Sequence, residues 1–434
     1  MILEESKVAP DALLAGSRPA RARRNVLAAM IGNIMEYYDF VIYAFLAQTL
    51  ARNFFQGDKY GGMLATFATF GVGFLARPLG GAIIGAIADK HGRRLALVIT
   101  IVGMAIGTVG IGFLPTYASA GLLAPVLLLA LRLIQGLAAG GEWGTAASFL
   151  VESAPDGKRG YFGGLGQASI TASALLSSVV VMILNASFST AEIDQWAWRV
   201  PFLLGGLLLP VGIYMRRNLD ETPAFVKAKT VSSPTSASSG VTATMMGKLF
   251  SINIINTVAY YVMLGYMPTF LSKYAGLSST QALISNSIAL VILVAATPLV
   301  GKLSDRFGRK PFLLLTCFGF AVFSVVLFRV MLNGASFGLI IAIQIFFNLV
   351  LAGFSGAGVS TFCEIFPTQS RTMLLSISYS LSTAIFGGFA PFISTWLIGV
   401  TGTPIAPAFY LTAAAIVSGI VIFMMRETAH ERLG

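Results

Sequence analysis

The sequence predicts an all-α polytopic membrane protein whose twelve transmembrane helices form two pseudo-symmetric six-helix bundles. Three observations predict it: an apolar composition with little charge, twelve apolar segments of spanning length, and a set of motifs that recurs in the second half. Hydrophobic residues make up 56% of the 434 residues and charged residues 11%, with a mean hydropathy of +0.80; a soluble domain carries about a quarter charged residues. That much apolar surface has no place in water, so lipid is the solvent. The apolar runs are continuous over helical lengths and do not alternate, which excludes a transmembrane β-barrel. Backbone polar groups in lipid must then be satisfied within helices.

The apolar segments fall at 25–50, 61–87, 95–114, 121–150, 161–186, 198–215, 249–271, 281–302, 311–331, 336–362, 373–399 and 405–425. Residues 1–24 read as a polar tail, 25–215 as the first bundle, 216–247 as a central loop, 248–426 as the second bundle and 427–434 as a second tail. The central loop contains VSSPTSASSG, too Ser-rich to pack, and divides the spans six and six. No small-residue cleavage site follows the first apolar run, so that run is expected to stay as a helix.

An even number of spans puts both termini on one side, and the basic residues choose which. With the N-terminus inside, the internal segments hold Arg21, Arg23 and Arg24, Lys90, Arg93 and Arg94, Lys158 and Arg159, Arg216 and Arg217, Arg306, Arg309 and Lys310, and Arg371 and Arg426. The opposite loops hold Arg52, Lys59 and Lys273. This asymmetry predicts an inner-membrane protein with cytoplasmic termini. The net charge of +11 is thereby a topology signal and not a nucleic-acid surface. Cys317 and Cys363 fall inside spans and His91 and His430 outside them, so neither a disulfide framework nor a metal centre is expected, and no cofactor.

The repeat is carried by loops. GAIADKHGRR at 85–94 aligns with GKLSDRFGRK at 301–310, matching Asp89 to Asp305, Gly92 to Gly308 and Arg93 to Arg309, each 216 residues apart. Glu152 and Arg159 match Glu364 and Arg371 at an offset of 212 with the same internal spacing. Two correspondences at nearly one offset identify two homologous halves. Asp89, Arg93, Arg94, Glu152, Arg159 and their echo Asp305, Arg309, Glu364, Arg371 are expected to be interdomain latches, because a substrate site in such repeats lies at their interface near mid-bilayer.

The loop motif resembles that of the major facilitator superfamily, and the resemblance covers essentially the whole chain. GNIMEYYDFVIYAF in the first span, RPLGG in the second, RLIQGLAAGGEWG in the fourth and WAWRVPF at the sixth are similar to the metabolite:proton symporter family. Members of that family carry carboxylates such as citrate, α-ketoglutarate and shikimate, or zwitterionic osmolytes such as proline and betaine. STAIFGGFAPFISTWL in the eleventh span resembles the citrate and tricarballylate members. The resemblance implies a secondary carrier, not an enzyme, working as a monomer by alternating access. Its implied cargo is a di- or tricarboxylate taken up with protons, the alternatives being proline or betaine, another organic acid such as shikimate or α-ketoglutarate, and sodium as coupling ion. It also implies that a fourth-span arginine neighbours a first-span carboxylate, which pairs Asp39 with Arg132.

Ionisable side chains at bilayer depth are costly and therefore candidates for function. Glu36 and Asp39 lie roughly 18 to 22 Å past Arg24 along a helix and share a face with Asn33 and Tyr43. Glu36, Asp39 and Glu142 are the expected proton-coupling residues, with helix orientation, or for Glu142 capping and packing, as the plainer roles. Arg77 and Arg132 are the arginines well inside spans, and a guanidinium fork suits a carboxylate. Arg77 alternatively serves the backbone of the eleventh span or a carboxylate of its own half. Asn33, Tyr37, Arg77, Arg132, Gln167, Asn348, Tyr379 and Thr383 are the expected substrate contacts. The second half offers neutral polar groups such as Asn253, Asn256, Tyr260, Tyr261 and Tyr266, many of which would serve as packing glue. Gly-rich stretches lie inside apolar spans with no preceding strand, and no Walker motif exists, so ATP-driven transport has no support. No ring of like charges suggests a channel. A membrane sensor on the same fold would be marked by an added cytoplasmic domain, and a long C-terminal coiled coil would mark an osmosensing branch; neither is read here.

Overall fold

A computed structural model of the chain describes residues 18–91, 93–140, 142–217, 239–368, 370–429 and 431. The side chains of Glu36, Asp89, Arg93 and Arg94, most of the central loop, and His430 lie outside the described residues.

Twelve spans follow in order: α1 (Arg18–Phe45, continued by Ala47–Phe54), α2 (Lys59–His91), α3 (Arg93–Phe113), α4 (Leu123–Ala138 and Glu142–Glu152), α5 (Arg159–Ser187) and α6 (Arg199–Arg217). The second half holds α7 (Ser239–Tyr260, Tyr261–Tyr266 and Met267–Tyr274), α8 (Ser279–Phe307), α9 (Lys310–Leu332), α10 (Phe337–Ile365), α11 (Arg371–Ser382, Thr383–Gly388 and Ala390–Thr401) and α12 (Ala406–Met424). Among the described residues, nine helices are long and apolar enough to cross a membrane, and Val98–Phe113 of α3 is a shorter apolar stretch. Local signals start several spans: Ser278 accepts from the Gln281 amide while the Gln281 side chain accepts from the Ser278 amide, a reciprocal cap on α8.

The helices overrun the apolar segments. α1 begins at Arg18, α2 reaches His91, α6 reaches Arg217 and α7 begins at Ser239, inside the stretch expected as central loop. Hydropathy reports where lipid contact ends, while backbone hydrogen bonding continues into water. Two features are not anticipated. α7 and α11 are each interrupted by a π turn, at Tyr261–Tyr266 and Thr383–Gly388. In both, a proline follows closely, Pro268 and Pro391, and its missing N–H leaves a gap in the hydrogen-bond ladder that a wider turn accommodates.

The two halves pair their helices identically. α1 packs on α5, α2 on α4 and α3 on α6; α7 packs on α11, α8 on α10 and α9 on α12. The halves meet through α5 against α8 and α2 against α11, contacts that exchange under the same two-fold relation. Large apolar side chains point outward from α3, α9 and α12, for example Ile106, Phe318, Val326 and Phe423. Such a surface is lipid-facing, since exposed apolar area on this scale would aggregate in water. α7 is the opposite case: 89% of its apolar window is buried, against 39% for α9 and α12. It therefore runs through the middle.

Small residues set the closest crossings. A Cβ on Gly136 of α4 would fall on the Gly73 carbonyl of α2, and one on Gly160 of α5 would fall on the Gly301 carbonyl of α8. Without a hydrophobic driving force between helices in lipid, such close backbone approach supplies the packing energy. Gly136→Ala is expected to lower the melting temperature of the purified protein by several degrees, overpacking costing about 1–3 kcal/mol. Gly338→Ala, where the added methyl meets open space, should leave it unchanged or raise it. Equal effects would show that the α2–α4 crossing is not tight.

Candidate functional site

At mid-membrane, α1 and α2 of the first half and α7 of the second bring aromatic rings together around two arginines. Phe40 and Phe74 stand 5.0 Å apart, Phe70 and Phe74 5.1 Å, and Tyr261 joins from α7 at 5.1 Å from Phe74. The Arg77 guanidinium lies over Phe40 at 4.1 Å and Phe74 at 4.5 Å, with Tyr37 at 5.6 Å. Arg132 lies over Tyr43 at 4.5 Å and Phe40 at 4.9 Å. Both arginines are buried, at 3% and 0% exposure. Ring faces carry negative charge density and stabilise a desolvated cation by about 2 kcal/mol or more each. For Arg132, which has no carboxylate within 4.0 Å among the described residues, the rings supply part of what an acidic partner would.

Arg132 is further held by polar contacts. Its Nη1 donates to Gln135 Oε1 at 2.9 Å and its Nη2 to the Phe70 carbonyl at 3.4 Å, while its Nε has no hydrogen-bond partner among the described residues. Gln135 Nε2 donates to Thr108 Oγ1 of α3 at 2.8 Å. The Thr108 hydroxyl interacts in turn with the Asp39 carboxylate. This corrects the expected direct pair. The ion pairs among the described residues include none between Asp39 and Arg132 within 4.0 Å; a glutamine one turn along α4 and a threonine from α3 stand between them.

The other expected contacts are distributed. Asn33 donates to Ser169 Oγ at 3.1 Å, tying α1 to α5, where Gln167 is also buried. Asn348 donates to the Gln344 carbonyl within α10. Thr383 accepts from Asn253 at 3.4 Å, and Asn256 donates to Asn253 at 2.9 Å. Tyr379 of α11 stacks on Trp143 of α4, centroids 3.4 Å apart and planes 8° from parallel, with Phe362 against both. That makes Tyr379 half of an aromatic bar between the two bundles, about 12 Å in from the start of α11 by helical rise. Glu142 is half-buried at the head of the second part of α4, beside Trp143. The side chain of Glu36 lies outside the described residues. The aromatic members Phe40, Phe70, Phe74 and Trp143 were not among the expected contacts, because an aromatic in an apolar span reads as ordinary core until a cation is seen beside it; Tyr261 was expected only as a neutral polar group of the second half.

The loop charges form cross-bundle contacts on the face where α4 meets α5 and α10 meets α11. Glu152 accepts from Arg371 Nη1 at 2.7 Å, and Arg159 lies 3.9 Å from Glu364: each half's acid reaches the other half's base. Asp305 of α8 accepts from the Gly160 and Tyr161 amides at 2.7 and 3.0 Å, capping the N-terminus of α5 across the interface. Arg309 donates to Asp305 at 2.9 Å and to Glu364 at 3.1 Å. Glu427, beyond α12, accepts from the Arg309 and Lys310 amides. Burial pushes the Glu427 carboxyl up, but backbone donors from Arg309, Ala429, Lys310 and Thr428 outweigh it and hold it below its ordinary value. Asp89, Arg93 and Arg94, expected as the first-half counterparts, have side chains outside the described residues.

Two repeated six-helix bundles meeting around buried mid-membrane charges, with exchanged ion pairs between them at one face, define a polytopic protein of the secondary-carrier fold. The sequence profile of the Major Facilitator Superfamily matches residues 29–328 and again 249–433, and the chain belongs to that superfamily. It is 34% identical over 427 residues to a proline/betaine transporter of Escherichia coli K12, covering 95% of this chain and 85% of that protein. It is 32% identical over 424 residues to a putative proline/betaine transporter of Staphylococcus aureus, covering 95% and 90%. Among solved structures it resembles a proton:xylose symporter bound to 6-bromo-6-deoxy-D-glucose, with TM-score 0.79, 17% identity and coverage of 96% and 98%. The TM-score falls to 0.68, at 18% identity and coverage of 94% and 97%, against the inward-open form of the E. coli xylose transporter.

The latch ion pair is 1% exposed at Arg371 and 21% at Glu152, whereas the Arg52–Asp194 pair at the opposite face is 46% and 29% exposed. Removing one partner of a buried pair costs about 3–5 kcal/mol, and an exposed pair is worth about 0–1 kcal/mol. Arg371→Met is accordingly expected to lower the melting temperature markedly and Arg52→Met hardly at all; comparable shifts in thermal unfolding would refute the latch assignment.

Proposed function

We propose that the chain is a proton-coupled symporter of a small zwitterionic osmolyte of the proline or betaine kind, alternating access in an inner membrane with its latched face in the cytoplasm. The observation that carries this reading is the placement of guanidinium groups among aromatic ring faces shared by both bundles. A zwitterion offers one carboxylate and one ammonium. The carboxylate suits Arg132, whose Nε has no hydrogen-bond partner among the described residues, and the ammonium suits the faces of Phe74 and Tyr261. The Asn256 side-chain oxygen on α7, without a hydrogen-bond partner among the described residues, adds a polar contact from the second half. The names of the relatives point the same way, and likeness to a proton symporter supports the coupling ion.

The second reading, uptake of a di- or tricarboxylate such as citrate, keeps the support of two arginines and of the eleventh-span resemblance. It is weaker on charge grounds. The additional carboxylates would face the negative faces of phenyl rings and the nearby Asp39, and among the described residues the ring cluster holds no cation beyond Arg77 and Arg132 to meet them.

In proteoliposomes, an inward proton gradient is expected to drive proline or betaine uptake and a protonophore to abolish accumulation; protonophore-resistant uptake that follows sodium would overturn the coupling. In thermal unfolding of purified protein, the osmolytes should raise the melting temperature while citrate and tricarballylate do not; the reverse pattern would restore the carboxylate reading. Tyr261→Leu should weaken betaine binding by about five- to thirtyfold, the equivalent of about 1–2 kcal/mol of lost cation–π attraction. Tyr261→Phe should keep most of it, and calorimetry showing equal loss for both would remove the ring face from the site.

A further inference from the structure

Arg132 and Asp39 sit in one half of the molecule, on α4 and α1, yet do not touch. What joins them has a fixed direction. Arginine only donates hydrogen bonds, so the Gln135 oxygen must face Arg132 Nη1, 2.9 Å away. The Gln135 amide nitrogen then faces Thr108 Oγ1, at 2.8 Å, and donates to it. With that lone pair used, the Thr108 hydroxyl proton is free to point the other way, toward the Asp39 carboxylate. Both hydrogen bonds point from the cation toward the carboxylate, and Asp39 is the acid that the Thr108 side chain acts on. All four side chains are buried: Arg132 and Gln135 at 0% exposure, Thr108 at 0% and Asp39 at 7%. α6 closes the junction from outside, where a Cβ on Gly205 would come within 2.8 Å of Thr108 Cγ2 and 3.1 Å of Asp39 Oδ1.

We propose that Thr108 and Gln135 are positioning residues that transmit the protonation state of Asp39 to Arg132, so that a proton on Asp39 frees the Arg132 guanidinium for the carboxylate of the cargo. Ionised Asp39 only accepts; protonated Asp39 also donates. With the proton directed at Thr108, the threonine turns to donate to Gln135, and the amide turns over to present its oxygen to Thr108. Its NH2 group then meets the Arg132 fork, a donor against a donor, and Nη1 is released. No bond other than the O–H bond on Asp39 forms, and the proton comes from solvent. A polarised chain of this kind acts as a unit because each bond strengthens the next in a dry interior. The groups facing Asp39 are few: Arg132 from α4, Tyr38 on its own helix, and Arg77 of α2 through Arg132. Thr108 of α3 and Gly205 of α6 bring no charge, and the Glu36 side chain, one turn along α1, lies outside the described residues.

The inference rests on the proton-coupled osmolyte reading, and its test separates the two. In the full-length protein, proline and betaine binding is measured across pH for wild type, Asp39→Asn, Thr108→Val, Thr108→Ser and Gln135→Met. Wild type should bind at least about fivefold more tightly at low than at high pH. Asp39→Asn, Thr108→Val and Gln135→Met should flatten that dependence, and Thr108→Ser should keep it. If Thr108→Val retains the full dependence while Asp39→Asn abolishes it, the coupling passes directly through space and the relay is wrong. The same variants are compared without substrate through the pH dependence of the melting temperature. A wild-type titration that Asp39→Asn removes and Thr108→Val displaces by about one pH unit supports the relay even if neither osmolyte binds. Superimposed wild-type and Thr108→Val curves sink it whatever the cargo.

Discussion

Two guanidinium groups lie where lipid cannot hydrate them, and much of the core exists to make that tolerable. Phe40 serves both, at 4.1 Å from Arg77 and 4.9 Å from Arg132. The ring cluster needs α1, α2 and α7 in contact, which ties the two bundles together at the same depth as the charges. Aromatic solvation of a cation is weaker and less local than a carboxylate partner. Arg132 is held by rings, a glutamine and a backbone carbonyl, with no carboxylate within 4.0 Å among the described residues.

The two-fold relation organises the rest. Helix pairs repeat between halves, α5 against α8 mirrors α11 against α2, and the acids and bases of the latch are exchanged, Glu152 with Arg371 and Arg159 with Glu364. An exchanged pair can form only when the two bundles close on that face. Asp305 adds a contact of the same kind, since the α5 amides it accepts from belong to the other bundle. All of these contacts cross between the bundles at one face, so none of them can survive separation of the bundles there.

The fold was legible because lipid imposes long apolar runs and because loop motifs kept their spacing through duplication. Arg77, Arg132 and Asp39 were legible as candidates because charge inside an apolar run is conspicuous. What joins them was not. Thr108 and Gln135 are ordinary polar residues in spans of mixed composition, and their meaning comes from α3 and α4 lying side by side, which no single-span pattern encodes. The aromatic cluster was hidden for the opposite reason, Phe40, Phe70 and Phe74 being indistinguishable from lipid-soluble core. The carboxylate expectation rested on one eleventh-span stretch, whereas the names of the relatives favour the osmolyte alternative; that stretch, STAIFGGFAPF, is also where the π turn and Phe389 lie, so its composition reflects helix geometry as well as any ligand.

Among the described spans, mid-span π turns occur in α7 and α11, both in the second bundle, whereas α1 and α5, their partners by descent, carry none. A π turn corresponds to one extra residue in a helix, and it rotates everything beyond it by about a third of a turn. The duplicated halves are therefore jointed differently: the first is interrupted after Phe45 in α1 and after Ala138 in α4, the second at the π turns of α7 and α11, so duplication has kept the helix packing while relocating the breaks in the helices.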